Sequence, residues 1–287
     1  MKEQQPNHSD EKWLDSLPGE VRRIFAVALL NILLKVMGME FSQESKKNIR
    51  ELNERLKEGS VIMYANHTAL VDFVVAALLA LSELTNAEMI FGPVASQYVE
   101  PDDTKRFSKN KVIAFILKRI GPLGITLLPI DTATTPNTNM TPEKRRARRA
   151  KRARLRAVAK DALSKPGSAL GITPQGTRSK DEAGSMMEAL PGVGSFDDPN
   201  QKIPITYLPF AMIYWRYFHD NPALVVGRVQ TLDELLAEEG LNREKVPKNP
   251  EEKAKFITKL LMQKLAALQP ESMRGFYAKK EADEVIV

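Results

Sequence analysis

The chain has 287 residues, with 42 Lys and Arg against 36 Asp and Glu, and no cysteine. The missing cysteine excludes a disulfide framework, a thiolate nucleophile and a thiolate-held zinc or iron–sulfur site. With histidine only at His8, His67 and His219, no metal site is assigned.

The length fits one large domain with appendages. Residues 1–44 divide into a polar lead-in and an apolar helix, residues 45–278 form the main domain, and residues 279–287 form a flexible tail. The start around Asn7-His8-Ser9-Asp10 lacks the pattern of a secretory signal, so a cytoplasmic protein is expected. Val21 to Met37 is the most apolar helix candidate, with Arg22 and Arg23 ahead of its apolar run from Ile24, interrupted by Asn31 and Lys35, and ended by Gly38. It falls short of the roughly 20 apolar residues of a membrane span. Two readings stay open for it: a core helix, or a helix lying in the membrane interface with its basic residues among the headgroups. Ser42 to Lys57 follows as a charged surface helix.

Val61 to Ala65, with β-branched Val61 and Ile62 beside Tyr64, predicts a buried strand, and the Ala- and Leu-rich run from Phe73 predicts a buried helix. His67 then sits at the strand-to-helix turn and Asp72 in the first turns of the helix. From that position the imidazole can fold back onto the carboxylate, which would fix its tautomer and leave the other ring nitrogen as a base. Such a base takes the proton from a hydroxyl attacking an acyl carbon. A turn histidine followed by an acid at a helix start would look the same.

Glu88 to Val94 predicts a strand closed by Gly92-Pro93, Lys111 to Ile120 a helix, and Ile125 to Ile130 a strand ending at Asp131. The alternation predicts an α/β fold: a central mixed, mostly parallel sheet flanked by helices, with the N-terminal apolar helix added. Thr141-Pro142-Glu143 is a helix start, with a capping hydroxyl, a proline at the first position and then an acid. The helix it opens, residues 141–164, is basic. From Lys144 to Arg156 it carries nine basic residues, which with Glu143 make a net +8, against +6 for the whole chain. The positive charge is therefore local. Ala147, Ala150, Ala153 and Ala157 repeat at helical spacing and predict a narrow packing face. Such a run of like charge calls for an anionic partner: a membrane surface or an acidic carrier, with nucleic acid ranked third for want of interleaved aromatics or a nucleic-acid motif.

Ser168 to Thr173 predicts a further strand, followed by Pro174-Gln175-Gly176-Thr177-Arg178-Ser179. Here Gly176 permits close backbone approach, Thr177 and Ser179 offer hydroxyls, and Arg178 offers a fork for phosphate or carboxylate. A polar turn held by an arginine has the same composition. Ile203 to Trp215 predicts an apolar core strand, Ala223 to Val229 another strand, and Leu232 to Glu239 and Pro250 to Leu268 two helices.

Taken in order, these stretches resemble the glycerolipid acyltransferases, the 1-acylglycerol-3-phosphate acyltransferases and their relatives. The first family motif, Asn-His-x4-Asp, matches Asn66, His67 and Asp72. The third, Pro-Glu-Gly-Thr-Arg-Ser, matches Pro174, Gly176, Thr177, Arg178 and Ser179. The fourth, a strand with an embedded proline, matches Ile203-Pro204-Ile205, and Arg274-Gly275-Phe276-Tyr277 is similar to the family's Arg-Gly-Tyr-Tyr ending. The resemblance implies a glycerol-3-phosphate acyltransferase-like fold and a base, His67, oriented by Asp72. It implies a substrate-binding set of Asn66, Asp131, Gln175, Gly176, Thr177, Arg178 and Ser179. The reaction it implies moves an acyl group from an acyl-CoA or acyl carrier protein thioester, a co-substrate rather than a bound cofactor, to a hydroxyl of a lysophospholipid or glycerol-phosphate-like acceptor. A peripheral place at the membrane follows, through the Val21–Met37 helix and the Lys144–Arg156 helix. Two positions depart from the pattern: Gln175 stands where the family has Glu, and Ile130-Asp131-Thr132 ends in Thr where the family has Arg. A catalytically weakened relative that binds lipid or carrier, or a transferase for an acceptor without phosphate, would carry such departures.

Overall fold

The structure is a computed structural model. It describes residues 41–67, 82–95, 125–130, 141–176, 185–198, 200–213 and 223–278, with seven separate positions between 21 and 35. All but the end of the predicted helix from Phe73, the predicted helix from Lys111, most of the Val21–Met37 segment, Tyr214 and Trp215 at the end of the predicted Ile203–Trp215 strand, and residues 279–287 lie outside the described residues. Among the described residues, no helix is long and apolar enough to cross a membrane.

In chain order the elements are α1 (Gln43–Leu56), β1 (Ser60–Ala65), β2 (Met89–Ala95), β3 (Ile125–Ile130), α2 (Pro142–Leu163), β4 (Ser168–Ile172), β5 (Ile205–Ile213), β6 (Ala223–Val226), β7 (Gln230–Thr231), α3 (Leu232–Glu238) and α4 (Pro250–Ala267). The strands form one seven-stranded sheet in the order β3-β2-β4-β1-β5-β6, with β7 also on β5. Strands β1 to β5 are mutually parallel, whereas β6 and β7 run antiparallel to β5. This is the mixed, mostly parallel sheet with flanking helices that the alternation predicted.

Strand β1 is central, bonded to β4 on one side and β5 on the other, and all six of its residues are buried. That is why Ser60 to Ala65 is almost continuously apolar rather than alternating. On one face Ile62, Tyr64, Leu170 and Tyr207 pack with Ala159, Ala162 and Leu163 of α2, Leu232, Leu235 and Leu236 of α3, and Ile257 and Leu261 of α4. Helix α1 lies against β1 and β6. It begins at Ser42, whose hydroxyl accepts from the Ser45 N–H (3.0 Å), and it buries Ile49, Leu52 and Leu56 at three- and four-residue spacing.

Three details of the sequence reading change. Gly92 and Pro93 do not close β2. The strand runs on to Ala95, with Pro93 opposite Leu128 of β3. Pairing with β4 stops at Phe91, so a residue without an N–H at position 93 removes no bond on that side. The proline embedded in β5 is Pro209, not Pro204. Pro204 precedes the strand and its carbonyl accepts from the Ser60 N–H (3.0 Å), while Pro209 falls between the stretches of β5 that β7 and β6 cover. Lastly, Ala147, Ala150, Ala153 and Ala157 are all exposed. Among the described side chains of α2, Leu155 is half-buried and full burial begins at Ala159.

Candidate functional site

Parallel strands β1 and β4 are neighbours, in register from Val61 opposite Ala169 to Tyr64 opposite Ile172. They therefore deliver Asn66-His67 and Pro174-Gln175-Gly176 to the same carboxyl edge of the sheet, where α/β folds commonly keep their ligand sites.

Each turn has its own anchoring. Strand β1 ends at Ala65, opposite Phe210, but β5 continues to Ile213 along β6. The backbone of Met212 would then lack a neighbour on the β1 side. Asn66 supplies one: its Nδ2 donates to the Met212 carbonyl (2.8 Å), and its Oδ1 accepts from the Met212 N–H (2.9 Å). The side chain acts as one further rung of the ladder, and the residue is only 1% exposed. His67, the next residue, is half-buried.

The second turn closes on itself, with the Gly176 N–H donating to the Thr173 carbonyl (3.0 Å). Proline in second place and glycine in fourth suit such a turn, and Gly176 has φ +67°, in the left-handed region that favours glycine. The buried Gln175 side chain (4% exposed) turns back towards β1, where its Oε1 accepts from the His67 N–H at 3.0 Å. That bond joins the two sequence stretches. It also gives a physical reading of the glutamine: the position needs an oxygen acceptor, and an amide provides it without burying a charge.

A third segment braces the second turn. The Leu190 N–H donates to the Pro174 carbonyl (2.9 Å), and the Leu190 side chain lies against Gly176. Residues 185–190 are held in turn by the end of the described chain. The Met186 N–H donates to the Met273 carbonyl and the Phe276 N–H to the Met186 carbonyl, both at 2.9 Å, and the Tyr277 hydroxyl accepts from the Ala189 N–H, also at 2.9 Å. Gly275 has φ +50°, and a Cβ there would lie 2.3 Å from the Met186 carbonyl oxygen. The Arg274-Gly275-Phe276-Tyr277 ending thus clasps the strap that supports the Gln175 turn.

Of the residues singled out in the sequence, Asn66, His67, Gln175 and Gly176 come together at this edge. Asp72, Asp131, Thr177, Arg178 and Ser179 lie outside the described residues. Met212, Leu190 and Tyr277 also contribute to the site's framework. No local signal marks Met212, whose partner Asn66 is distant in sequence. Tyr277 belongs to the recognised ending, but its contact with Ala189 is a property of the fold. Among the described residues, no group of His, Asp and Glu side chains is arranged to hold a metal ion. No protein-family model matches the chain, and no curated protein matches it.

Proposed function

We propose that this protein is an acyltransferase that moves a fatty acyl group from an acyl-CoA or acyl carrier protein thioester to a hydroxyl of a lysophospholipid or glycerol-phosphate-like acceptor. The observation that supports it most is the bond from the His67 N–H to Gln175, which joins the Asn-His turn to the Pro-Gln-Gly turn.

In this reading His67, oriented by Asp72, takes the proton from the acceptor hydroxyl as that oxygen attacks the thioester carbonyl carbon. The tetrahedral intermediate collapses with cleavage of the C–S bond. The departing thiolate then recovers the proton from the imidazolium, so no covalent acyl-enzyme forms and no cysteine is required. The backbone of Gly176 and the fork of Arg178 hold the acceptor's anionic group, with Thr177, Ser179 and Asp131 around it, and positioning of this kind can lower the barrier by several kcal/mol. Asn66 and Gln175 act through the backbone: one fixes where β1 ends, the other fixes the amide of His67. The work is done at the cytoplasmic surface of a membrane, with Val21–Met37 as the apolar segment at the interface.

The test is transfer of labelled acyl chains from acyl-CoA to a panel of lysophospholipids, glycerol phosphate and amino-lipid acceptors. His67→Ala is expected to lower kcat by about 10²–10⁴-fold, the usual scale for a general base, and Asp72→Asn to lower it in the same direction. Turnover that survives both changes would remove the base and with it the reading. Tight binding of acyl donor with no transfer to any acceptor would favour the weakened, lipid-binding alternative.

A further inference from the structure

We infer that the amino-terminal half of α2 is an arm that docks the protein onto an anionic lipid surface, with the His67–Gln175 edge of the sheet turned towards the lipid. Helix α2 has 22 residues and β4 has five, so the helix is about 33 Å long beside a strand of about 17 Å. It packs on β3 and β4 and, because Leu163 lies just before the start of β4, it runs back along the strands. Its free length therefore emerges at the carboxyl edge, where β1 ends at Ala65 and β4 leads into Gln175.

Exposure follows this geometry. Ala159, Ala162 and Leu163 are buried, Leu155 is half-buried, and Val158 is 47% exposed. Towards the amino end, Arg145, Arg146, Arg149, Arg154 and Arg156 are all exposed. The side of the helix that carries Ala159 and Leu163 continues into Arg152, seven and eleven residues earlier, which are two and three helical turns. The sequence thus changes from Ala and Leu to Arg where the sheet runs out, as expected of an overhang meant to stay in water or meet an anion.

The chemistry of the arm selects the partner. A protein partner is normally held by buried aromatic or large apolar anchors; from Lys144 to Arg154 only alanine stands between the basic residues, and the first large apolar side chain is the half-buried Leu155. Basic side chains spread over more than half of the helix circumference suit a diffuse negative field such as that of anionic headgroups. The preference for lipid over nucleic acid, the other diffuse polyanion, rests on the acceptor reading above, because the arm and the candidate site share one edge. Adhesion is measured without turnover, so the failure of one reading is distinguishable from the failure of the other.

The experiment is flotation of the full-length chain with phosphatidylcholine vesicles, alone or with about 30% phosphatidylglycerol, at about 50 mM and 200 mM salt, since surface electrostatics are screened within about a nanometre at physiological salt. Binding is expected only to the anionic vesicles and is expected to weaken at the higher salt. The variant R145Q/R146Q/R149Q/R154Q keeps good helix formers on an exposed surface. It is expected to retain its circular dichroism and melting temperature while its partition falls at least 100-fold, on a scale of roughly fivefold per basic residue. A control that removes the same number of charges elsewhere, K57Q/K165Q/K248Q/K255Q, is expected to change partition less than threefold. Equal binding to neutral vesicles, equal losses in the two variants, or tighter binding to duplex RNA than to anionic vesicles at the same salt would each overturn the assignment.

Discussion

At the carboxyl edge of the sheet, two buried amides are engaged with backbone; one layer down, two buried tyrosines have hydroxyls with no hydrogen-bond partner among the described residues. Asn66 satisfies both the N–H and the carbonyl of Met212, and Gln175 accepts from His67. Two residues before Asn66, the hydroxyl of Tyr64 is buried with no hydrogen-bond partner among the described residues, as is that of Tyr207 on the neighbouring strand. Polar geometry is specified at this edge of the sheet and left open at these two core hydroxyls. Rings of this size fill a core whatever their hydroxyls do, whereas a turn holds its course only if its hydrogen bonds do.

Asn66 and Gln175 also differ from each other, and a single kind of substitution separates them. Position 66 needs a donor and an acceptor; position 175 uses an acceptor. Asn66→Asp should keep the bond from the Met212 N–H but turn a second oxygen on the Met212 carbonyl, with a charge buried beside it. A loss of about 3–5 kcal/mol is expected from urea unfolding, the usual cost of an uncompensated buried charge. Gln175→Glu keeps the bond it now makes, strengthened by its charge and weakened by desolvation, and should shift stability by only about 1 kcal/mol. Equal costs for the two carboxylates would mean that the contrast between a two-ended and a one-ended anchor is wrong. The same logic accounts for the departure noted in the sequence: glutamine in place of glutamate leaves the acceptor of His67 in place.

Much of this edge is legible in the sequence, for identifiable reasons. The strands show themselves because β1 and β5 are buried on both faces, and α2 starts where Thr141, Pro142 and Glu143 say it should. What escapes is whatever depends on where a neighbour ends. Pro93 looks like a terminator until β4 is found to stop pairing at Phe91. Ala147 to Ala157 look like a packing face until the short β4 leaves them without a sheet to pack on. Met212 carries no mark at all, because its need for Asn66 arises from β5 outlasting β1. Local chemistry is written locally, while relative lengths of adjacent elements appear only in three dimensions. The chemical core of the candidate site is legible only as a motif, since Asp72 and Arg178 lie outside the described residues.

The smallest effect expected at neutral pH concerns the unpaired layer, and its dependence on pH has a definite sign. Burial raises the pKa of the Tyr64 phenol well above its ordinary value near 10, with the nearby Tyr207 adding to the rise, and burial pushes Tyr207 in the same direction. In the unfolded chain these tyrosines release their protons near pH 10, while in the folded protein they hold them to higher pH. Above that value the unfolded state binds fewer protons, so stability falls with rising pH, by up to about 1.4 kcal/mol per pH unit for each tyrosine. At neutral pH, Tyr64→Phe removes a buried hydroxyl that has no partner and should leave stability unchanged or raise it by about 1 kcal/mol. Above pH 10 the Tyr64→Phe/Tyr207→Phe protein should unfold less readily than the parent, the gap widening with pH. Parallel curves for the two proteins between pH 9 and 11 would show that these phenols ionise alike in the folded and unfolded chain, and the reading of a water-excluded, unpaired interior would be lost.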